Sequence, residues 1–192
     1  GAGTGRIAKS ILFNNRNVRY YGIDLSKEFV NEANRMLKHH KFSLNGKVLY
    51  GDMSSFQFST KFDMIFIPFN SFLHLTNLQS VRNCMQCIKN HLSESGSAYI
   101  DVFVPNPLLL YRPKGVRAHV MNYKNKSGDS MTVKEQLDYN KVDNTANITW
   151  DFTNINTGKV QIFNFKIMIH FPDTIINMIS DNGFCVDAVY GG

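Results

Sequence analysis

The chain has 192 residues, 43% of them hydrophobic and 12% aromatic, enough apolar material for one domain of about 100–200 residues and too much for a disordered tail. Charged residues are 19% with a formal net charge of +6, and no apolar run approaches the ~18–20 residues that cross a bilayer, which excludes a transmembrane helix. The opening Gly1-Ala2-Gly3-Thr4-Gly5 is neither an initiator Met nor a charged stretch leading into an apolar core, so no targeting peptide is expected and the chain reads as cut.

In chain order, short apolar runs alternate with helical patterns over the first hundred residues, the layout of an open, mostly parallel sheet wrapped by helices. A Gly-rich turn at residues 1–5 enters a helix near 6–13. Val18 to Ile23 forms a strand ending in Asp24, and Ser26 caps a helix running to about His40, with Phe29, Val30, Ala33 and Leu37 at helical spacing. Lys47 to Tyr50 is a short strand before Gly51-Asp52-Met53. Phe62 to Ile67 is a buried strand, followed by Pro68-Phe69-Asn70-Ser71 and a helix to about Leu92. Gly96 is expected to break that helix before a strand over 98–104.

After Pro105 the period changes from helical to alternating. Met131, Val133, Leu137 and Tyr139 share one face that only Glu135 interrupts. Ala146, Ile148, Trp150 and Phe152 form a second row, and Phe163, Phe165, Ile167, Ile169 and Phe171 a third, with His170 on the polar side. Turns at 143–144 and 154–158 join them, which predicts an antiparallel meander with one buried face. A helix from Pro172, stopped by Gly183, and a last strand over 184–189 follow. The expected organisation is a core over 1–104, an antiparallel cap over 105–171 and a return to the core over 172–192.

Charge and cysteine placement narrow the setting. Arg112, Lys114, Arg117, Lys124 and Lys126 stand between Val102 and Gly128 without an acid, either a solvated loop or a surface for an acidic substrate or RNA backbone. Cys84, Cys87 and Cys185 are an odd number, which argues against a disulfide framework and for a reducing, cytoplasmic setting. Cys84-x-x-Cys87 has no second Cys/His pair at ligand spacing, so small buried helix residues are expected there and no metal site.

The chemistry-bearing signals lie at strand ends. A Gly-rich turn before a helix lets backbone N–H groups approach a ligand. Gly3-Thr4-Gly5-Arg6-Ile7-Ala8 also fits the dinucleotide form, with Asp24 about 20 residues on, so a nicotinamide enzyme stays open at this point. The second acidic station, Asp52, separates the readings: with Asp24 on ribose hydroxyls, it can take the exocyclic amine of adenine.

These motifs, in this order, resemble the class I S-adenosylmethionine-dependent methyltransferases, in their small-molecule branch. Gly1-Ala2-Gly3-Thr4-Gly5-Arg6 looks like the first motif, Gly22-Ile23-Asp24-Leu25-Ser26 like the ribose-binding motif and Gly51-Asp52-Met53 like the adenine-binding motif. Residues 62–75 look like the fourth-strand motif, and Gly183-Phe184 like the segment entering the penultimate strand. The resemblance implies a doubly wound, seven-stranded α/β sheet with an antiparallel β insertion after strand five, its first and last strands outside residues 1–192. It implies S-adenosyl-L-methionine as cofactor, held by Gly1, Ala2, Gly3, Gly5, Asp24, Leu25, Asp52, Met53, Pro68 and Phe69, and S-adenosyl-L-homocysteine as product.

Methyl transfer to nitrogen or oxygen of a small molecule is the expected activity, with the insertion a candidate homodimer surface and no nucleic acid or membrane partner. His74 is the candidate general base and Asn70 the candidate acceptor-orienting residue. Pro68-Phe69 is similar to the motif of nucleobase amine methyltransferases, but Ile67 stands where the amide or carboxylate should be. The rival readings are an RNA or protein methyltransferase using the basic segment, a cofactor-binding subunit without catalysis, and a nicotinamide dehydrogenase.

Overall fold

The computed structural model describes residues 1–191. By its internal contacts the chain divides into two compact units, residues 1–71 with 79–101, and residues 72–78 with 102–191. Residues 172–191 are thus grouped with the second unit.

In the first unit, helix α1 (Arg6–Asn14) follows the Gly-rich turn and precedes strand β1 (Tyr20–Asp24). Helix α2 (Lys27–His39) begins where the Ser26 hydroxyl accepts the Phe29 N–H, as its sequence predicts. Strand β2 (Gly46–Tyr50) pairs parallel with β1, Asp24 opposite Tyr50. The Asn34 side chain of α2 bonds both polar backbone groups of Val48, satisfying the outer edge of β2. Ala8, Leu12, Ala33, Leu37 and Val48 fill the space between helices and strands. Each of the two buried leucines contributes about 1.5–3 kcal/mol.

Strand β3 (Phe62–Ile67) pairs parallel with β4 (Leu92–Ile100). Between them lie a 3₁₀ turn (Ser71–His74) and helix α3 (Leu78–His91), so the single helix expected after Ser71 is two pieces. Cys84 lies fully buried on α3, where burial pushes its thiol up to about 12. The strand expected to begin after Gly96 begins at Leu92 and contains Gly96. A Cβ at residue 96 would sit 2.8 Å from the Phe62 carbonyl oxygen, so glycine admits close approach of β3 where the register shifts, rather than breaking a helix.

The described residues form two two-stranded parallel ladders, β1–β2 and β3–β4, and not one seven-stranded sheet. The physical reason is that β1 and β3 do not pair: a cavity of about 100 Å³ lies between them, lined by Tyr20, Gly22, Met64, Phe66 and Ile67 among others.

The second unit carries a four-stranded antiparallel sheet in the order β5 (Ala118–Lys124), β6 (Ser130–Asn140), β7 (Thr145–Asn154) and β8 (Val160–Met168), with a short helix α4 (Pro107–Leu110) before it. The register sets Leu137 opposite Ile148 and Ile148 opposite Phe165, so the rows read from the alternation share one face. Leu110, Leu137, Ala146, Ile148 and Ile167 are buried there, whereas Phe163 at the other end is 55% exposed.

Three expectations change. A fourth strand, β5, occupies part of the basic stretch, hidden because its residues are mostly exposed and lack an apolar row. His170 is buried, not on a polar face, because β8 ends two residues before it and its ring lies 5.7 Å from that of Phe72. Helix α5 (Pro172–Asp181) ends at Gly183 with φ +80, but residues 184–191 form no strand, since nothing among the described residues pairs with them.

Candidate functional site

The first unit gathers its acids and its glycine turn at the carboxyl ends of β1 and β2. Ala2 N–H donates to the Ile23 carbonyl at 2.9 Å, laying the turn alongside β1. The Asp24 carboxylate then accepts Gly3 N–H at 2.8 Å through Oδ2 and Ser26 N–H at 2.9 Å through Oδ1. Gly3 adopts φ +54, open to glycine at no steric cost, and a Cβ there would meet nothing within 4 Å, so open space faces the turn beside the carboxylate.

The Asp24 carbonyl accepts Gly51 N–H at 3.1 Å, which sets the two acidic stations side by side. Asp52 Oδ1 accepts Ser54 N–H at 2.7 Å and the Ser54 hydroxyl at 2.8 Å, an Asx turn that fixes its carboxylate. A cleft of about 490 Å³ opens here, lined by Leu25, Tyr50, Gly51, Asp52 and Ser55 among others. Leu25 is 59% exposed. Gly1, Ala2, Met53 and Pro68 line the other cavity, the one between β1 and β3, which contains no carboxylate.

At the end of β3, Phe69 and Asn70 both hold left-handed backbone, φ +54 and +58. The Arg6 guanidinium lies 4.5 Å from the centre of the Phe69 ring. Asp101, one residue past β4, takes the Phe69 N–H on its Oδ2 at 2.9 Å. Sequence reading placed Asp101 inside a strand and missed this contact; a carboxylate at a strand's carboxyl end was the available signal.

His74 belongs to the second unit, its ring 5.8 Å from that of Phe165. Partial burial lowers its pKa below the ordinary histidine value, and a hydrogen bond with the Lys166 backbone opposes that shift. The second unit also engages two of the five cations of the basic segment. Arg112 pairs with Glu135, which also accepts the Trp150 indole N–H at 2.9 Å, and Arg117 pairs with Asp151. Glu135, the residue that interrupts the apolar row, is therefore the centre of a half-buried polar trio. Among the described residues no group of three or more His, Cys, Asp or Glu is placed to hold a metal ion, and no helix is long and apolar enough to cross a membrane.

Residues 1–96 match the family model described as a methyltransferase domain. No curated protein sequence matches the chain. Among solved structures, the chain is similar to the CcbJ methyltransferase from Streptomyces caelestis, with TM-score 0.78 and 16% identity over 95% of this chain and 70% of that one. It is similar to the SAM-bound amino pentose methyltransferase CalS10 from Micromonospora echinaspora, with TM-score 0.72 and 13% identity over 95% and 72%. The sugar N-methyltransferase KedS8 from Streptoalloteichus matches with TM-score 0.70 and 17% identity over 95% and 68%. At these identities the likeness is one of fold.

Proposed function

The chain belongs to the methyltransferase-domain family and is an S-adenosylmethionine-dependent methyltransferase, and from that premise we propose that it methylates nitrogen or oxygen of a small molecule. The observation that carries the proposal is the Asp24 carboxylate, fixed by Gly3 and Ser26 N–H groups beside Asp52. Two fixed acceptors on neighbouring strand ends suit two sets of donors, ribose hydroxyls at Asp24 and the adenine amine at Asp52. The residues thus fit the cofactor by the chemistry of their donors and acceptors.

In this reading Leu25 and Met53 flank the base, and the turn formed by Gly1, Ala2, Gly3 and Gly5 faces the amino-acid portion, with the open space beside Gly3 the room for it. Pro68 and Phe69 wall the site. Bound there, S-adenosyl-L-methionine would supply an activated methyl group to the acceptor's lone pair, with S-adenosyl-L-homocysteine as the other product. The chain's own task is then alignment, exclusion of water and removal of one proton. Asn70 orients the acceptor and His74, kept neutral by its lowered pKa, receives the proton.

Two observations favour a small acceptor. Arg112 and Arg117 are committed to Glu135 and Asp151, which leaves the basic segment weaker as an RNA surface. The neighbours named above include an amino pentose and a sugar N-methyltransferase, which favours an amine. The unpaired edges of β1 and β3, with apolar side chains between them, fit one further parallel strand, which would join the two ladders into a five-stranded sheet. Turnover of a panel of amino sugars and small amines with labelled cofactor tests the proposal. Methylation of an amine at low and high salt alike supports it, and methylation confined to RNA or protein overturns it.

A further inference from the structure

The turn after β3 is built in a conformation its residues resist. Left-handed backbone brings Cβ against the following carbonyl oxygen, and Phe69 at φ +54 has none of the local compensation that asparagine offers at Asn70. Two such residues in succession persist only where the surroundings over-determine them. Asp101 supplies that constraint. Its N–H donates to the Ile67 carbonyl at 3.0 Å, its Oδ2 accepts the Phe69 N–H at 2.9 Å, and its carbonyl accepts the Asn70 N–H at 3.1 Å. Because Ile67 pairs with Ile100 across β3 and β4, the ladder delivers Asp101 to the first residues beyond it.

We propose that Asp101 is a positioning residue for methyl transfer: its carboxylate holds Phe69 in left-handed backbone with the ring against Arg6, and so sets the wall of the cofactor site. The inference rests on the assignment of Phe69 to that wall. Without the carboxylate the Phe69 N–H loses its acceptor, and the turn is free to relax to negative φ and carry the ring away from Arg6. Two of the three bonds are made by Asp101 backbone atoms and survive replacement by Ala or Asn, so the side chain's share is separable. Asp101 is exposed, which leaves little packing to lose on replacement.

The test is a double-mutant cycle in the full chain, read by calorimetric affinity for S-adenosyl-L-homocysteine. Asp101→Ala should weaken binding about tenfold, the scale of one charge-assisted hydrogen bond, while Asp101→Asn, which keeps an acceptor oxygen, should stay within about threefold of wild type. In a Phe69→Gly background, where left-handed backbone costs nothing, Asp101→Ala should cost less than about threefold. A merely structural loss would be equal in both backgrounds. Equal losses, or wild-type affinity in both Asp101→Ala and Asp101→Asn, overturn the positioning role and leave the cofactor assignment standing. Absence of binding by the wild-type chain overturns both.

Discussion

The carboxylate of Asp24 accepts the backbone N–H of Gly3 at 2.8 Å across 21 residues of sequence. One acid thereby holds the glycine turn against β1 and presents its remaining lone pairs at the strand end. An acceptor bonded to donors in both directions is fixed before a ligand arrives, which lowers the entropy cost of binding.

Asp24→Ala removes both functions. Each hydrogen bond to a charged group is worth about 1.5–3 kcal/mol, so affinity for S-adenosyl-L-homocysteine should fall at least tenfold. Asp52→Ala should lose less, since one exocyclic amine replaces two hydroxyls. Titration calorimetry on both variants checks the order, and unchanged affinity in the Asp24 variant would contradict the ribose assignment.

Glu135 stabilises the second unit through Arg112 and Trp150. Both charged side chains are largely removed from water, at 9% and 20% exposure. Glu135→Ala leaves the Arg112 guanidinium buried without its counter-charge and should cost about 3–5 kcal/mol. Urea denaturation followed by Trp150 fluorescence reads this directly, and a loss under 1 kcal/mol would show that water replaces the carboxylate.

His170 makes stability depend on pH. Burial lowers its folded pKa below the ordinary value of 6.5, so the unfolded chain binds a proton at a higher pH than the folded one. Its contribution is complete above about pH 6.5 and is lost as pH falls from there through the lowered folded value. His170→Gln should flatten this part of a Tm-against-pH curve between pH 7 and 5. An unchanged slope would assign the dependence to other groups.

His74→Ala should lower turnover by roughly 10²–10⁴-fold with cofactor affinity nearly intact, because a general base acts in the transition state. In the wild type, turnover should rise with pH through a value below 6.5, and the variant should lose that limb. Turnover at the wild-type level would leave His74 a packing residue against Phe165.

Local signals made much of this architecture legible. Ser26 caps α2 as its side chain predicts, and the period of two along residues 131–139 and 146–152 identified the shared apolar face of β6 and β7. Contacts between distant residues were not legible. Gly96 reads as a helix breaker until β3 is seen crossing it, and β5 carries no apolar row because its side chains are mostly exposed. Asp101 looks like any strand residue until the Phe69 N–H arrives from 32 positions away. At the candidate site, Asp24 and Asp52 stood out through strand-end spacing, whereas His74 was chosen for its place after the fourth strand and for its imidazole.

A crystal structure of the chain with S-adenosyl-L-homocysteine tests the central claim most directly. The account predicts both ribose hydroxyls within hydrogen-bond distance of the Asp24 carboxylate and the adenine amine at Asp52. A nucleoside bound away from both acids, or no binding at millimolar concentration, would contradict it.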